Sequence, residues 1–553
     1  MNASAFAWDR PARALFERVT RLPGPWPVLF LLLVGHWVAL AVFSSAVPHN
    51  GWLFYQGGDQ IWYWTTSWLL AHGSVALTPV AQGWSLLLLP FAALGGPGFL
   101  AGLPGAILLQ ALVLAPLAVW AVYEIGARVG GRAVGYLASF LWTFGPYLAI
   151  PFFSDRYHEK YVHQFLPHPL GLTAMADYAG TVFLLLAAAF CLRALDDHGS
   201  RAALLAGLAA GFAGLVKPST LIFLAAPTLL FLAARRGRQL LSFALALAPA
   251  LGALALWKYQ TLGYLPAFQA QPQARLAFDG GVALEPYRHY VRIDWHHLDV
   301  NLQGLAENFF SLRALQWLPF AGAVAAWRGS LARALFLCAW FWPFFILKGS
   351  SQLSSVDSGS FFRFLLPAVP PLVVLAAALP LLVPVYGPSL ARRLAPPPPR
   401  PVSRILLLAC AIVLAVFPLA AAAAVSPLRD ARQTVRVASI GLPVDAELGL
   451  QAQARGRSIV LRWEKPPTSG SRVFYKLFRA RGPVDHTCGG EVGAVQCDVY
   501  GQPVRITRVR FALDRPGRGT WTYRVGVAAN YLDDPALGDV FLLSPPVTIA
   551  VSS

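Results

Sequence analysis

The sequence predicts a polytopic α-helical membrane protein of about eleven spans that ends in an all-β sandwich. Three observations predict it. The 553 residues are 56% hydrophobic and only 13% charged, with a mean hydropathy of +0.54; soluble domains carry about 25% charged residues. Apolar runs close to the ~20 residues needed to cross a bilayer recur from Trp26 to Val425. Beyond about Asp430 the pattern changes to short alternating segments separated by turn residues. The net charge of +18 does not point to nucleic acid, because the arginines cluster at the ends of apolar runs, where they fix topology. Arg predominates over Lys beside heavy use of Ala, Leu, Gly and Pro, a composition typical of GC-rich bacterial genomes, so the membrane expected is the bacterial cytoplasmic membrane.

Residues 1–25 carry Arg10, Arg13, Arg18 and Arg21 and are expected to be cytoplasmic. The first span covers about Trp26 to Val47. Its small residues near the end resemble a secretory signal, but the segment before it is long, so no cleavage is expected. No Lys or Arg follows until Arg128, which places the next loop outside. Within it, Ile61 to Ala71 reads as an interfacial helix with Trp62, Trp64 and Trp68 in the headgroup layer. The piece after Gly83-Trp84-Ser85 is interrupted by Pro90, Gly95, Gly96 and Pro97 and reads as a segment that dips into the membrane without crossing.

The second and third spans, about Pro104–Ile125 and Ala133–Phe152, flank Arg128 and Arg132 on the inside. A charged outside loop, FFSDRYHEKYVHQFLPHPLG, precedes the fourth span, Asp177 to Leu192. LLAGLAAGFAGLVKPSTLIFL reads as a hairpin of two short spans with Lys217-Pro218 at its outer turn. The seventh span is about Leu240 to Trp257, and Lys258 to Ser311 is a long outside loop. Two spans with Arg328 and Arg333 between them inside come next, and then an outside stretch from Lys348 to Ser360. The tenth span begins near Phe361 and ends before Arg392, Pro396 to Pro399 form a stiff linker, and the eleventh covers about Ile405 to Val425. The N-terminus is then inside and the C-terminus outside. The expected domains are a cytoplasmic N-terminus (1–25), a transmembrane domain (26–429) and an extracytoplasmic β-sandwich (430–553).

In that tail the expected strands are Ser458–Trp463, Arg472–Phe478, Ile506–Leu513, Trp521–Ala528 and Val547–Val551. VLRWEKPP, TYRVGVAAN and the closing SPPVTIAV resemble a fibronectin type III domain. Cys191, Cys338 and Cys410 lie in apolar spans and read as packing residues. Cys488 and Cys497 lie in the tail, where an extracytoplasmic location favours a disulfide between them over two free thiols.

Charge on the outside is confined to a few places. YQGGDQIWYW centres on Asp59, the only acid between Glu17 and Glu124. The second loop holds Asp155, Arg156, His158, Glu159, Lys160 and His163; Lys217 stands at a span end; Asp294, His296, His297 and Asp299 lie in the long loop; Arg363 opens the tenth span. Carboxylates can take a proton from an acceptor hydroxyl, and Arg and Lys can hold a phosphate. That set suits transfer of a group from a lipid phosphate. HEKYVH resembles the zinc-protease HExxH but has an extra residue, which turns His158 and His163 about 140° apart on a helix, so they share no face.

GDQ followed by an aromatic helix, GWSLLLLP, the charged second loop, the KPS turn and FRFLLPAVPPL together resemble GT-C glycosyltransferases, close to the protein mannosyltransferase and aminoarabinose transferase group. The resemblance covers about Leu31 to Leu382. It implies a polyprenyl-phosphate-linked sugar as donor and the first-loop acid at the catalytic centre. Asp59 matches that acid, and either Asp155 or Glu159 the second-loop acid. Lys217 and Arg363 match basic positions for the donor phosphate, with Arg156 and Lys160 assisting. Gln60, His158 and Trp84 are expected to line the substrate. Gln60 stands where protein mannosyltransferases have a second acid, which favours a cell-envelope glycan or glycolipid acceptor over protein. Mannose and arabinose donors both fit. No cofactor beyond the donor is implied, and a divalent cation is left open.

Each residue also has a plainer reading. Asp59 can cap a helix, Asp155 and Glu159 can be a solvated pair with Arg156 and Lys160, and Lys217 and Arg363 can be snorkelling or topology anchors. A lipid-linked glycan transporter and a non-catalytic envelope-binding scaffold are the rival functions. Transporters tend to place ionisable groups at the midplane, and here they lie at the loops.

Overall fold

The computed structural model describes residues 24–47, 59–75, 80–95, 99–197, 199–262, 265, 292–309, 315–357, 360–383, 401–427, 448–465, 473–483, 504–529 and 540–551. Cys488 and Cys497, most of the loop expected from Lys258 to Ser311 and the proline linker lie outside these residues.

The apolar runs fold into helices. Among the described residues seven are long and apolar enough to cross a membrane: Trp26–Ala46, Pro104–Gly130, Ala176–Asp196, Gly237–Thr261, Leu331–Gly349, Ser360–Leu382 and Arg404–Ala424. The four remaining expected spans are also helical but shorter than 18 residues: Arg132–Leu148, Ser200–Val216, Pro218–Ala233 and Leu318–Gly329. Ala and Gly set how closely the helices approach. A Cβ on Gly207 would lie 2.2 Å from the Phe243 carbonyl oxygen, so Ser200–Val216 packs on Gly237–Leu262 backbone to backbone only because that position is bare.

Two expectations for the first loop are corrected. The aromatic helix, Asp59–Ala71, is not laid in the headgroup layer. Trp62 and Trp64 are buried, and the helix packs against Gln82–Gly95, where the Ser85 hydroxyl donates to the Tyr63 carbonyl at 3.0 Å. Gln82–Gly95 itself is one helix that passes through Pro90, so the interruption expected there does not occur. Aromatic side chains serve an interface or a core equally well, and the apolar partner helix decides between them.

The chain leaves the last span through Ser426–Pro427 (β2), which pairs in parallel with Ser74–Val75 (β1), so the start of the tail is pinned beside the first loop. The tail is a sandwich of two sheets. The strands are β3 (Gln451–Arg455), β4 (Ser458–Arg462), β5 (Val473–Arg481), β6 (Arg505–Thr507), β7 (Phe511–Asp514), β8 (Gly519–Ala529), β9 (Val540–Leu543) and β10 (Val547–Val551). One sheet has the order β10-β8-β5-β6, with β9 also on β8; the other has the order β3-β4-β7. The expected strand Ile506–Leu513 is thus two strands in different sheets, because the chain changes sheet between Thr507 and Phe511. Between the sheets, Trp463 meets Tyr475 edge-on at 5.4 Å, and the Tyr523 hydroxyl donates to Asp514 at 2.7 Å.

Candidate active site

Four charged side chains from four separate segments meet at one end of the helical domain. Asp59 is the first residue of its helix, and Asp177 the second of Ala176–Asp196. A carboxylate is favoured at a helix N-terminus by the exposed N–H groups there. Lys217 sits in extended conformation between Ser200–Val216 and the 3-10 turn that Pro218 begins, since proline cannot continue the α-helix. Arg363 lies on Ser360–Leu365.

Arg363 joins the two acids. Its Nη2 donates to Asp59 Oδ2 at 2.6 Å and its Nε to Asp177 Oδ2 at 2.9 Å. The other oxygen of Asp177, Oδ1, accepts from Lys217 Nζ. Asp177 is buried, its side chain 1% exposed, whereas Asp59 keeps 50% of its side chain open. Phe364 lies under both cations, 5.0 Å from Lys217 Nζ and 5.5 Å from the Arg363 guanidinium. A buried ion pair holds only if its remaining donors and acceptors are met, and here each Asp177 oxygen has its own cation. The result is a relay, Lys217–Asp177–Arg363–Asp59, with a fixed interior and one accessible carboxylate.

Two acids and two bases balance in charge. Lys348, at the end of Leu331–Gly349, lies within electrostatic reach of Lys217 and Asp177 and makes no ion pair among the described residues, so it tips the cluster positive. Tyr63, one turn after Asp59, faces the same charges; burial first, then Asp59 and Asp177, push its hydroxyl above the usual range and keep it protonated. His168 lies below the cluster. Burial lowers it to about 3, so it is neutral there.

Asp59, Lys217 and Arg363, singled out in the sequence, therefore come together. The second-loop group does not join them through any contact shown. Asp155, Arg156, His158 and Glu159 are exposed on Asp155–Lys160. Glu159 approaches His163 at 3.8 Å, and Lys160 lies over the Tyr157 ring at 5.5 Å. Burial lowers Lys160 from the ordinary lysine range, Asp357 opposes that shift, and Arg156 adds to it. Gln60 and Trp84 are buried rather than lining an open surface; the Trp84 indole donates to the Ala174 carbonyl at 2.7 Å and braces the segment leading to Asp177. Sequence reasoning missed Asp177 and Lys348. The available signal for Asp177 was its isolation, as the only acid between Glu159 and Asp196. Among the described residues no three His, Cys, Asp or Glu side chains converge as a metal site would need.

Arginines expected only to mark the inner loops also form a network at the opposite end. Arg128 reaches Asp196 and Glu124, each at 2.6 Å, and Arg333 reaches Asp196 at 2.7 Å. These contacts tie Ala115–Gly130, Ala176–Asp196 and Leu331–Gly349 together. Ion pairs thus sit at both ends of Ala176–Asp196, with an apolar middle between them.

No protein-family model matches the chain, and no curated protein matches it. Among solved structures, the chain is similar to the archaeal oligosaccharyltransferase AglB from Archaeoglobus fulgidus in complex with an inhibitory peptide and a dolichol-phosphate, at a TM-score of 0.39 and 14% identity over 74% of this chain and 57% of that one. It is also similar to ArnT from Cupriavidus metallidurans in the apo state, at a TM-score of 0.38 and 14% identity over 74% of this chain and 73% of that one. The chain spans little more than half the length of the AglB chain. At these scores the likeness is one of loose architecture and carries nothing about chemistry.

Proposed function

We propose that the chain is a membrane glycosyltransferase of the GT-C type, moving a sugar from a polyprenyl-phosphate donor to a hydroxyl on a cell-envelope glycan or glycolipid at the outer membrane face. The observation that carries this reading is the half-open Asp59 carboxylate, held by an arginine that is itself anchored on a buried acid–lysine pair. In the reaction the acceptor oxygen forms a bond to the anomeric carbon from the face opposite the phosphate. The carbon–oxygen bond to phosphate breaks with its electron pair, and the configuration inverts. The acceptor proton goes to Asp59. Arg363, Lys217 and Lys348 stabilise the departing phosphate.

Arg363 links the two halves of the reaction. Its Nη2 donates to Asp59 Oδ2. A phosphate competes for that same N–H, and its arrival frees the Asp59 carboxylate oxygen to take the acceptor's proton. Donor binding thereby arms the base. Asp177 takes the part of the second acid by holding Arg363 and Lys217 in place, and the exposed Asp155, Glu159, Arg156 and His158, with the half-buried Lys160, form an outer rim for the acceptor. Mannosyl and arabinosyl donors both suit a site that grips the phosphate.

The test is transfer by the purified full-length protein in proteoliposomes, with radiolabelled polyprenyl-phosphate mannose or arabinose and envelope glycolipid as acceptor. The reading expects label in the acceptor with one donor and none with Asp59→Asn. Equal transfer by Asp59→Asn would remove Asp59 as base, and no release of sugar from either donor would remove the transferase reading.

A further inference from the structure

The β-sandwich is strongly basic among its described residues. Among its described residues, thirteen Arg and Lys stand against two acids, Glu464 and Asp514, and Asp514 is already paired with Arg479 at 2.9 Å. The basic residues are not spread evenly with respect to apolar surface. β7 is an edge strand of the three-stranded sheet, and on it Ala512 points inward while Phe511 and Leu513 point out, 46% and 40% exposed. Val509, in the turn before β7, is 58% exposed. Arg462 on β4 stands directly opposite Phe511, on the same outer face, and Arg508 and Arg510 flank Val509. One corner of the sandwich therefore presents three apolar side chains interleaved with exposed arginines.

We propose that this corner is a docking surface for anionic lipid headgroups, which lays the sandwich against the bilayer next to the active site. The apolar side chains argue for a lipid surface over a soluble polyanion. A polymer would need only the arginines, whereas an interface accepts guanidinium groups at the phosphates and Phe511, Val509 and Leu513 beside the acyl chains. An unpaired edge strand with outward apolar residues is otherwise an aggregation hazard, and a membrane against it removes that hazard. The chain path agrees. The last span ends at Ala424, its continuation is pinned to the first loop at Ser74, and the first described strand of the sandwich starts at Gln451, so the module stays within reach of the membrane.

The experiment is hydrogen exchange on the full-length protein in nanodiscs of phosphatidylcholine alone or with one-third phosphatidylglycerol, read over residues 504–514. The expected result is exchange about tenfold slower with phosphatidylglycerol. Slowing should vanish in 0.5 M salt and in Arg508→Glu/Arg510→Glu, and shrink in Phe511→Ser. Equal exchange in the two lipids would overturn the proposal. So would slowing by phosphatidylglycerol that the variants leave intact, since another surface would then make the contact. Slowing by added soluble polyglutamate but not by phosphatidylglycerol would also overturn it and point to a polymer partner.

Discussion

Replacing Asp177 by Ala removes the single buried acid that holds Lys217 and Arg363. Loss of one partner from a buried ion pair costs about 3–5 kcal/mol, because the other charge is left uncompensated. The two cations do not suffer equally. Arg363 keeps Asp59, although that carboxylate is 50% exposed and its pairing is worth at most about 1 kcal/mol. Lys217, with a side chain 14% exposed, keeps the face of Phe364 at 5.0 Å and the more distant charge of Asp59. The loss should therefore fall near the low end, about 3 kcal/mol, and most of it should belong to Lys217. Adding Lys217→Met removes the stranded ammonium, and the double variant should recover to within about 1.5 kcal/mol of wild type. Steric-trap unfolding in bicelles measures all four corners of the cycle. A loss under about 1 kcal/mol for Asp177→Ala, or a double variant as unstable as the single, would refute the view that Asp177 is the anchor of the relay.

Asp59→Asn should lower transfer at least about 100-fold while stability changes by less than about 1 kcal/mol, because the group is half-exposed; initial rates and unfolding on the same preparation check this. Asp196→Asn should destabilise by about 1–2 kcal/mol with little change in turnover per folded molecule, since it takes the ion-pair partner from Arg333 at the end away from Asp59 while Arg128 keeps Glu124. Gly83→Ala would place a Cβ 2.5 Å from Val216 N and 2.6 Å from Leu215 C, against backbone that cannot yield, so a loss of about 1–3 kcal/mol and a weaker grip on phosphate through the adjacent Lys217 are expected in unfolding and donor-binding assays. His168 is held at about 3 by burial, below its ordinary 6.5. The unfolded chain therefore binds the extra proton between those values. Its contribution is full above pH 6.5 and declines as pH falls toward 3, by up to about 1.4 kcal/mol per pH unit, and His168→Gln should flatten that part of the acid-unfolding curve.

What could be read from the sequence depended on whether a residue's meaning was local. Asp59, Lys217 and Arg363 stood out because each is a lone charge among apolar or aromatic neighbours. Their meeting was not legible, because it rests on contacts across 304 and 186 positions of chain, from Arg363 to Asp59 and to Asp177. Asp177 escaped notice because the first residue of an apolar run reads as a helix start, and nothing local says that two cations will close over it. The aromatic helix was misplaced for a related reason. Trp62 and Trp64 suit a headgroup layer, and only the packing of Gln82–Gly95 against them makes them core. In the tail, the period-2 pattern located β4, β5, β8 and β10 well, but Ile506–Leu513 alternates through a change of sheet that the pattern does not register.

The most direct test of the central claim is the sugar composition of the cell envelope in a strain deleted for this protein and carrying either wild type or Asp59→Asn, with both shown to reach the membrane in equal amount. The account predicts that wild type restores one missing sugar and Asp59→Asn does not, which would also name the sugar. Equal restoration by both would contradict it and leave Asp59 as a helix cap held by Arg363.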